Sequence, residues 1–325
     1  MTPAPQTRRP RAPALALAAA LTIAAMPGGA VAADKLTLLL DWYVNPDHGP
    51  IILAEELGYF EEAGLEVEVI APTDPSAPPK LVAAGQGDIA VSYQVQLHLQ
   101  VDAGLPIAWA GTLVATPLNC LLTLADGPVQ DIADLKGKTI GYSVAGVEEA
   151  LLGAILEEHG LSVDDVSLVN VNFSLSPALM TGRVDAVIGA YRNFELNQME
   201  IEGVAGRCFY IEEEGLPPHD ELIYVVNPDR VNKDAVARFL EATERATQYI
   251  INHPEESWDI YKVTGAELDD ELNARAWVDT IPRFALRPAA VDYGRLARFE
   301  AFMKERGLIE VEKPVTDLVV NVFER

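Results

Sequence analysis

Two α/β lobes joined by a two-strand hinge are expected from three features of this sequence. Short apolar runs alternate with amphipathic stretches, the pattern of a largely parallel sheet covered by helices. The alternation restarts after Pro128, which implies a second unit with a core of its own. Once a leader is removed, about 290 residues remain, more than one hydrophobic core ordinarily accommodates.

The leader comes first. Arg8, Arg9 and Arg11 precede an uncharged apolar run, 14–26, that ends in small residues around Ala30, Val31 and Ala32. That is the layout of a secretory signal peptide cut before Ala33, and it places the remainder in the periplasm. The run is shorter than the roughly 20 residues of a membrane-spanning helix. No cysteine borders the cleavage site to carry a lipid. The Arg8-Arg9 pair leaves twin-arginine export open beside the general route, although Pro10 and Arg11 follow where that signal turns apolar. Cleavage takes three of the 24 basic residues and none of the 49 acidic ones, leaving a net charge of −28. Such a surface excludes nucleic acid as a partner. The acidic residues are spread along the chain, so their charge otherwise reads as solubility.

In the first lobe, strands are expected at 36–40, 66–70, 89–92 and 107–113. Between the first two, Pro50 suits a first helical position, 51–57 carries the helix and Gly58 ends it; a second such unit follows over 76–85. The second lobe offers a strand at 139–142, a helix at 148–158 stopped by Gly160, and strands at 167–171 and 184–188. A strand at 221–226 precedes a helix at 234–251, in which Val236, Phe239, Leu240, Thr243 and Ile250 recur at helical spacing as core positions. Helices at 268–281 and 291–306 complete the chain. Crossings near 118–124 and 221–227 would give lobe 1 residues 33–120 and 222–325, and lobe 2 residues 121–221. Cys120 and Cys208 both fall in apolar, strand-like stretches, where a disulfide and two buried thiols are equally compatible with export.

In open α/β sheets ligands bind beyond the carboxyl ends of the strands, so the residues that follow each strand are the candidates for a site. The first strand leads into Asp41-Trp42-Tyr43-Val44-Asn45-Pro46-Asp47-His48-Gly49-Pro50. Trp42 can stack on a flat ligand in the company of Asp41, Asn45 and His48; the plainer roles are core plug for the tryptophan and helix-start packing for the histidine. Other strand ends supply Tyr93 and, before a turn containing Gly146, Tyr142. Glu148 and Glu149 then occupy a first helical turn, where acids complement the dipole and argue against a bound phosphate. The segment 189–198 is the most informative: Glu195 can accept from an amino group on a heterocycle and Asn193 serves donor and acceptor edges, while Arg192, Asn197 and Gln198 read as a solvated helix start. The candidate ligand site is therefore Asp41, Trp42, His48, Tyr93, Tyr142, Tyr191, Asn193 and Glu195, around a small heteroaromatic molecule. No nucleophile elbow, Walker loop or dinucleotide fingerprint occurs, and none of the histidines at 48, 98, 159, 219 and 253 pairs at metal-ligand spacing. No catalytic residue, metal or cofactor is expected.

Several motifs together resemble one family. They are Leu40-Asp41-Trp42 with His48 and Pro50, Leu57-Gly58-Tyr59-Phe60 with Gly64-Leu65, Pro72-Thr73-Asp74-Pro75-Ser76, Gly87-Asp88, Leu135-Lys136-Gly137-Lys138 with Ile140-Gly141-Tyr142, and Gly182-Arg183-Val184-Asp185-Ala186. They resemble the thiamine-pyrimidine-precursor branch of periplasmic solute-binding proteins, relatives of the fungal synthase that makes hydroxymethylpyrimidine phosphate. The segment 188–198 is similar to that of bacterial binding proteins for aminopyrimidine thiamine precursors. The resemblance implies a type II periplasmic-binding-protein fold, a monomer that closes its lobes on the ligand and serves an ABC permease in the inner membrane. It also implies Trp42 with Tyr93 or Tyr191 as stacking faces. In the synthase a lysine holds pyridoxal phosphate and a nearby histidine is consumed; the matching positions here carry Ser92 and Gln96, and its cysteine-rich run is matched by Leu216-Pro217-Pro218-His219-Asp220. These departures imply binding without catalysis. The alternatives are the same fold with a flavin, sulfonate or nitrate, for which Arg192 is the one obvious basic group of the second lobe, or a synthase-type enzyme.

Overall fold

β-branched and aromatic runs form ten strands among the described residues, shared equally between two sheets. The computed structural model describes residues 1, 2, 4 and 33–323; the apolar run and cleavage site expected at 14–32 lie outside the described residues. In chain order the strands are β1 (Asp34–Leu39), β2 (Leu65–Ile70), β3 (Ile89–Tyr93), β4 (Ala108–Val114), β5 (Asn119–Leu124), β6 (Thr139–Tyr142), β7 (Ser167–Asn170), β8 (Ala186–Tyr191), β9 (Gly206–Tyr210) and β10 (Leu222–Val226). The first sheet runs β2-β1-β3-β10-β4 and the second β7-β6-β8-β5-β9. Among the described residues no helix is long and apolar enough to cross a membrane.

Neither sheet is purely parallel. In the first, β1 lies parallel to β2 and β3, but β10 runs antiparallel between β3 and β4. In the second, β6 lies parallel to β7 and β8, and β5 runs antiparallel between β8 and β9. The inserted strands are the two by which the chain arrives from the other lobe. Each therefore starts where its neighbours end: Leu222 pairs with Tyr93, the last residue of β3, and Asn119 with Tyr191, the last residue of β8.

The chain passes between sheets at 115–118 and returns at 211–221, so 119–124, expected as a crossing, is a strand of the second sheet. Side chains tie the two passages together. Arg295 donates to Ala115 O at 2.7 Å and pairs with the Asp220 carboxylate. Glu221 Oε2 accepts from Leu118 N–H at 2.5 Å and from Asn119 N–H at 2.9 Å.

The first core gathers under the helix Lys233–Asn252, capped by Asn232, whose Val236, Phe239, Leu240, Thr243 and Ile250 are all buried. Phe239 stacks on Phe60 with centroids 5.3 Å apart. The helix Tyr293–Glu305 touches both lobes: Phe299 lies against His98 of the first, with ring centroids 5.4 Å apart, and with Met303 it joins the core that holds Leu151, Leu152 and Ile155 of the second. Cys120 and Cys208, on neighbouring strands β5 and β9, form a disulfide with their Cα atoms 5.5 Å apart.

Candidate functional site

The strand directions bring two kinds of residue to one cleft: those that follow β1, β3, β6 and β8, and those that begin β5 and precede β10. Between the lobes lies a cavity of about 650 Å³, open solvent at its mouth included. Asp41, Trp42, Asn45 and Asp47 line it from the loop after β1, and Tyr93 from the end of β3. Val144, Val147, Glu148 and Leu151 come from the segment after β6, and Gly189, Tyr191, Phe194 and Glu195 from the end of β8 onward. Asn119, His219 and Glu221 come from the starts of the inserted strands.

Five of the eight expected residues, Asp41, Trp42, Tyr93, Tyr191 and Glu195, face this cavity; the other three do not. His48 is 0% exposed: its Nε2 lies 3.0 Å from Asp41 Oδ1 and its Nδ1 accepts from Asn45 N–H, so it buttresses the loop. Tyr142 follows Ile140 by two residues and shares its face of β6, where it packs against the second core. Asn193, 2% exposed, donates through Nδ2 to Asp47 Oδ1 and to Thr280 Oγ1, both at 2.7 Å, and so links the lobes instead of meeting a ligand. Sequence reasoning passed over Asn119, His219 and Glu221 because it followed carboxyl ends alone. The direction of β5 and β10 was the missing signal.

The cavity is acidic. Among the described residues Asp41, Asp47, Glu148, Glu195 and Glu221 line it and no lysine or arginine does. Arg192, the basic group a sulfonate would need, is turned to Glu212 at 2.7 and 2.8 Å and to the carbonyls of Leu118 and Asn119. Asp41 spends both oxygens on the protein, one on His48 and one on Tyr93 O–H at 2.9 Å. Glu221 Oε1 accepts from Tyr191 O–H at 3.2 Å. Burial pushes Glu195 up to about 7, although the Tyr191 N–H donates to its Oε2 at 2.7 Å. Burial likewise raises Glu148 to about 8, against the N–H groups of Ser143 and Val144, and Asp47 to about 6. Three buried acids thus titrate close to neutrality, and burial holds the hydroxyls of Tyr93 and Tyr191 protonated well above their ordinary range.

At the rim, Trp42 meets Phe173 of the opposite lobe edge-on at 4.5 Å, and Tyr43 meets Phe194 at 6.0 Å. Tyr93 and Tyr191 line the interior with their hydroxyls donated to Asp41 and Glu221. Such a cavity accepts a planar ring rich in hydrogen-bond donors.

Residues 45–257 match the family described as NMT1/THI5 like. The chain belongs to this family. Among NMT1/THI5-like relatives, it is 48% identical over 292 residues to a putative thiamine biosynthesis protein of Haemophilus influenzae, covering 90% of this chain and 93% of the relative. It is 33% identical over 231 residues to a formylaminopyrimidine-binding protein of Halalkalibacterium halodurans, covering 70% of each. The architecture is that of the alkanesulfonate-binding protein SsuA from Xanthomonas axonopodis pv. citri, with a TM-score of 0.70 at 14% identity over 89% of this chain and 99% of that one. The fold is the periplasmic-binding-protein fold.

Proposed function

We propose that this protein is the periplasmic solute-binding subunit of an ABC importer, exported by its signal peptide, and that it captures a small aminopyrimidine destined for thiamine. The observation that carries the reading is the cavity itself, with aromatic side chains, five carboxylates and, among the described residues, no lysine or arginine on its walls. A sulfonate or nitrate would meet like charge there, whereas the amino group of an aminopyrimidine meets acceptors. The relative named for formylaminopyrimidine supports the same ligand class.

In this reading Trp42, Tyr93 and Tyr191 stack on the ring and Glu195 accepts from its amino group. The passages 115–118 and 211–221 act as the hinge between a lobe opening at residue 33 and a lobe centred on the second sheet. The permease reads the closed form. Binding without turnover is supported by the positions that match the synthase's lysine and histidine: Ser92 and Gln96, buried and bonded to each other at 2.8 Å, offer neither an amine to hold the cofactor nor an imidazole to be consumed.

Titration calorimetry with 4-amino-5-hydroxymethyl-2-methylpyrimidine tests this. Wild type binds, an alkanesulfonate does not, and Glu195→Gln weakens the pyrimidine by about tenfold or more, the worth of a charge-assisted hydrogen bond. No pyrimidine binding, or an affinity unchanged in the variant, rejects the assignment.

A further inference from the structure

Of the five acids in the cavity, Asp41 and Glu221 have both oxygens engaged by the protein, and Asp47 is turned to Asn193 and Thr280. Glu148 differs. It is 4% exposed and its Oε2 accepts from Ser143 N–H at 2.5 Å and Val144 N–H at 3.2 Å, yet among the described residues Oε1 accepts no hydrogen bond. That oxygen occupies space which only a glycine at 189 leaves open: a Cβ there would lie 1.9 Å from it, and Gly189 holds a φ of +93° besides. Both Gly189 and Glu148 line the cavity. That oxygen is left to the cavity, where a donor on the ligand can pair with it.

Resting on the aminopyrimidine reading, we propose that Glu148 is a specificity-determining residue that pairs with a protonated alkylamine on the ligand. The site thereby selects an aminomethyl-substituted pyrimidine over its neutral hydroxymethyl and N-formylated counterparts. The ammonium brings three donors and a full charge to the carboxylate it pairs with, whereas a formamide brings one N–H and no charge. The groups that face Glu148 are Glu149 on its own helix, Glu195 from the segment after β8, and the tyrosines Tyr93 and Tyr142. None supplies positive charge. Burial, reinforced by Glu149 and Glu195, keeps the carboxyl protonated at neutral pH in the empty cleft. Pairing with an ammonium then expels that proton: the acid and the cation become a carboxylate–ammonium pair and one proton passes to buffer. A neutral ligand can bond to the acid and release none.

The test is calorimetry near pH 7 in phosphate and in Tris, with three probes: 4-amino-5-aminomethyl-2-methylpyrimidine, its 5-hydroxymethyl counterpart and the N-formyl derivative of the amine. Wild type should bind the amine about tenfold or more tighter than either neutral probe, and Glu148→Gln should narrow that margin to about threefold or less while still binding the hydroxymethyl probe. The heat of amine binding should differ more between the two buffers than that of the hydroxymethyl probe in wild type, and Glu148→Gln should remove that excess. A wild type that binds a neutral probe as tightly as the amine, or shows the same buffer dependence for the amine and the hydroxymethyl probe, overturns the proposal. Both readouts need only wild type, so a variant that does not fold leaves them decisive. Failure of all three probes to bind would instead remove the aminopyrimidine reading, and this proposal with it.

Discussion

Gly189 is where one backbone angle admits the chemistry of the cleft, because any side chain there would displace the Glu148 carboxylate. That carboxylate leaves a mark on stability. Its folded value of about 8 lies above the ordinary 4.5, so the native state holds the proton more tightly than the unfolded chain. Its contribution is full below about 4.5 and is lost as pH rises through about 8; Glu195 and Asp47 act in the same direction over lower ranges. Ligand-free wild type should therefore lose melting temperature relative to Glu148→Gln as pH rises from 5 to 8.5. Differential scanning fluorimetry reads this, and a gap between the two proteins that stays constant with pH would contradict it. Residues that follow strands, such as Trp42 and Glu195, were legible because strand ends are readable from pattern alone. The packing role of His48 stood beside its ligand role and rests on the near neighbours Asp41 and Asn45, whereas the lobe-to-lobe bonding of Asn193 was not legible, since it depends on partners distant in the chain.

Most elements followed their local pattern. The strand at 139–142 and the helix behind Asn232 fall where alternation and capping place them. The helix Gln94–Asp102 escaped because it is wrapped on nearly all sides, with Gln94, Gln96 and His98 buried beside Val95 and Leu97, so no polar face marks its period. Strand direction also escaped, since a buried run such as Leu222–Val226 reads the same either way along a sheet. The helix Tyr293–Glu305 acts as a brace: it reaches both passages through Arg295 and seats Phe299 in the second core. Arg295→Met leaves the Asp220 carboxylate largely buried with Thr112 as its remaining side-chain partner, and should cost about 1–3 kcal/mol. Urea unfolding measures this; a midpoint equal to wild type would show that the brace carries no stability.

At the scale of the molecule, the lobes meet over the cavity through Asn193 on Asp47 and Thr280, Trp42 on Phe173, and Asn197 on Asp279 at 2.8 Å. These contacts exist only while the lobes are together, and those made by Asn193 do not involve a cavity-facing atom of its own. Asn193→Ala should thus shift the population toward an open form and weaken ligand by about fivefold through that shift alone. Small-angle scattering of the ligand-free variant should give a larger radius of gyration than wild type, with the two converging at saturating ligand; identical radii throughout would remove Asn193 from the closing equilibrium. The disulfide adds a topological point. Cys120 and Cys208 stand near the start and end of the one continuous stretch that builds the second sheet, and their Cα atoms are 5.5 Å apart. The stretch between them is in effect a stapled cassette, its two ends held side by side at the neck. Exchanging it between homologues would replace one wall of the binding chamber wholesale, provided that the graft keeps the greasy socket into which the host's Phe299 and Met303 insert.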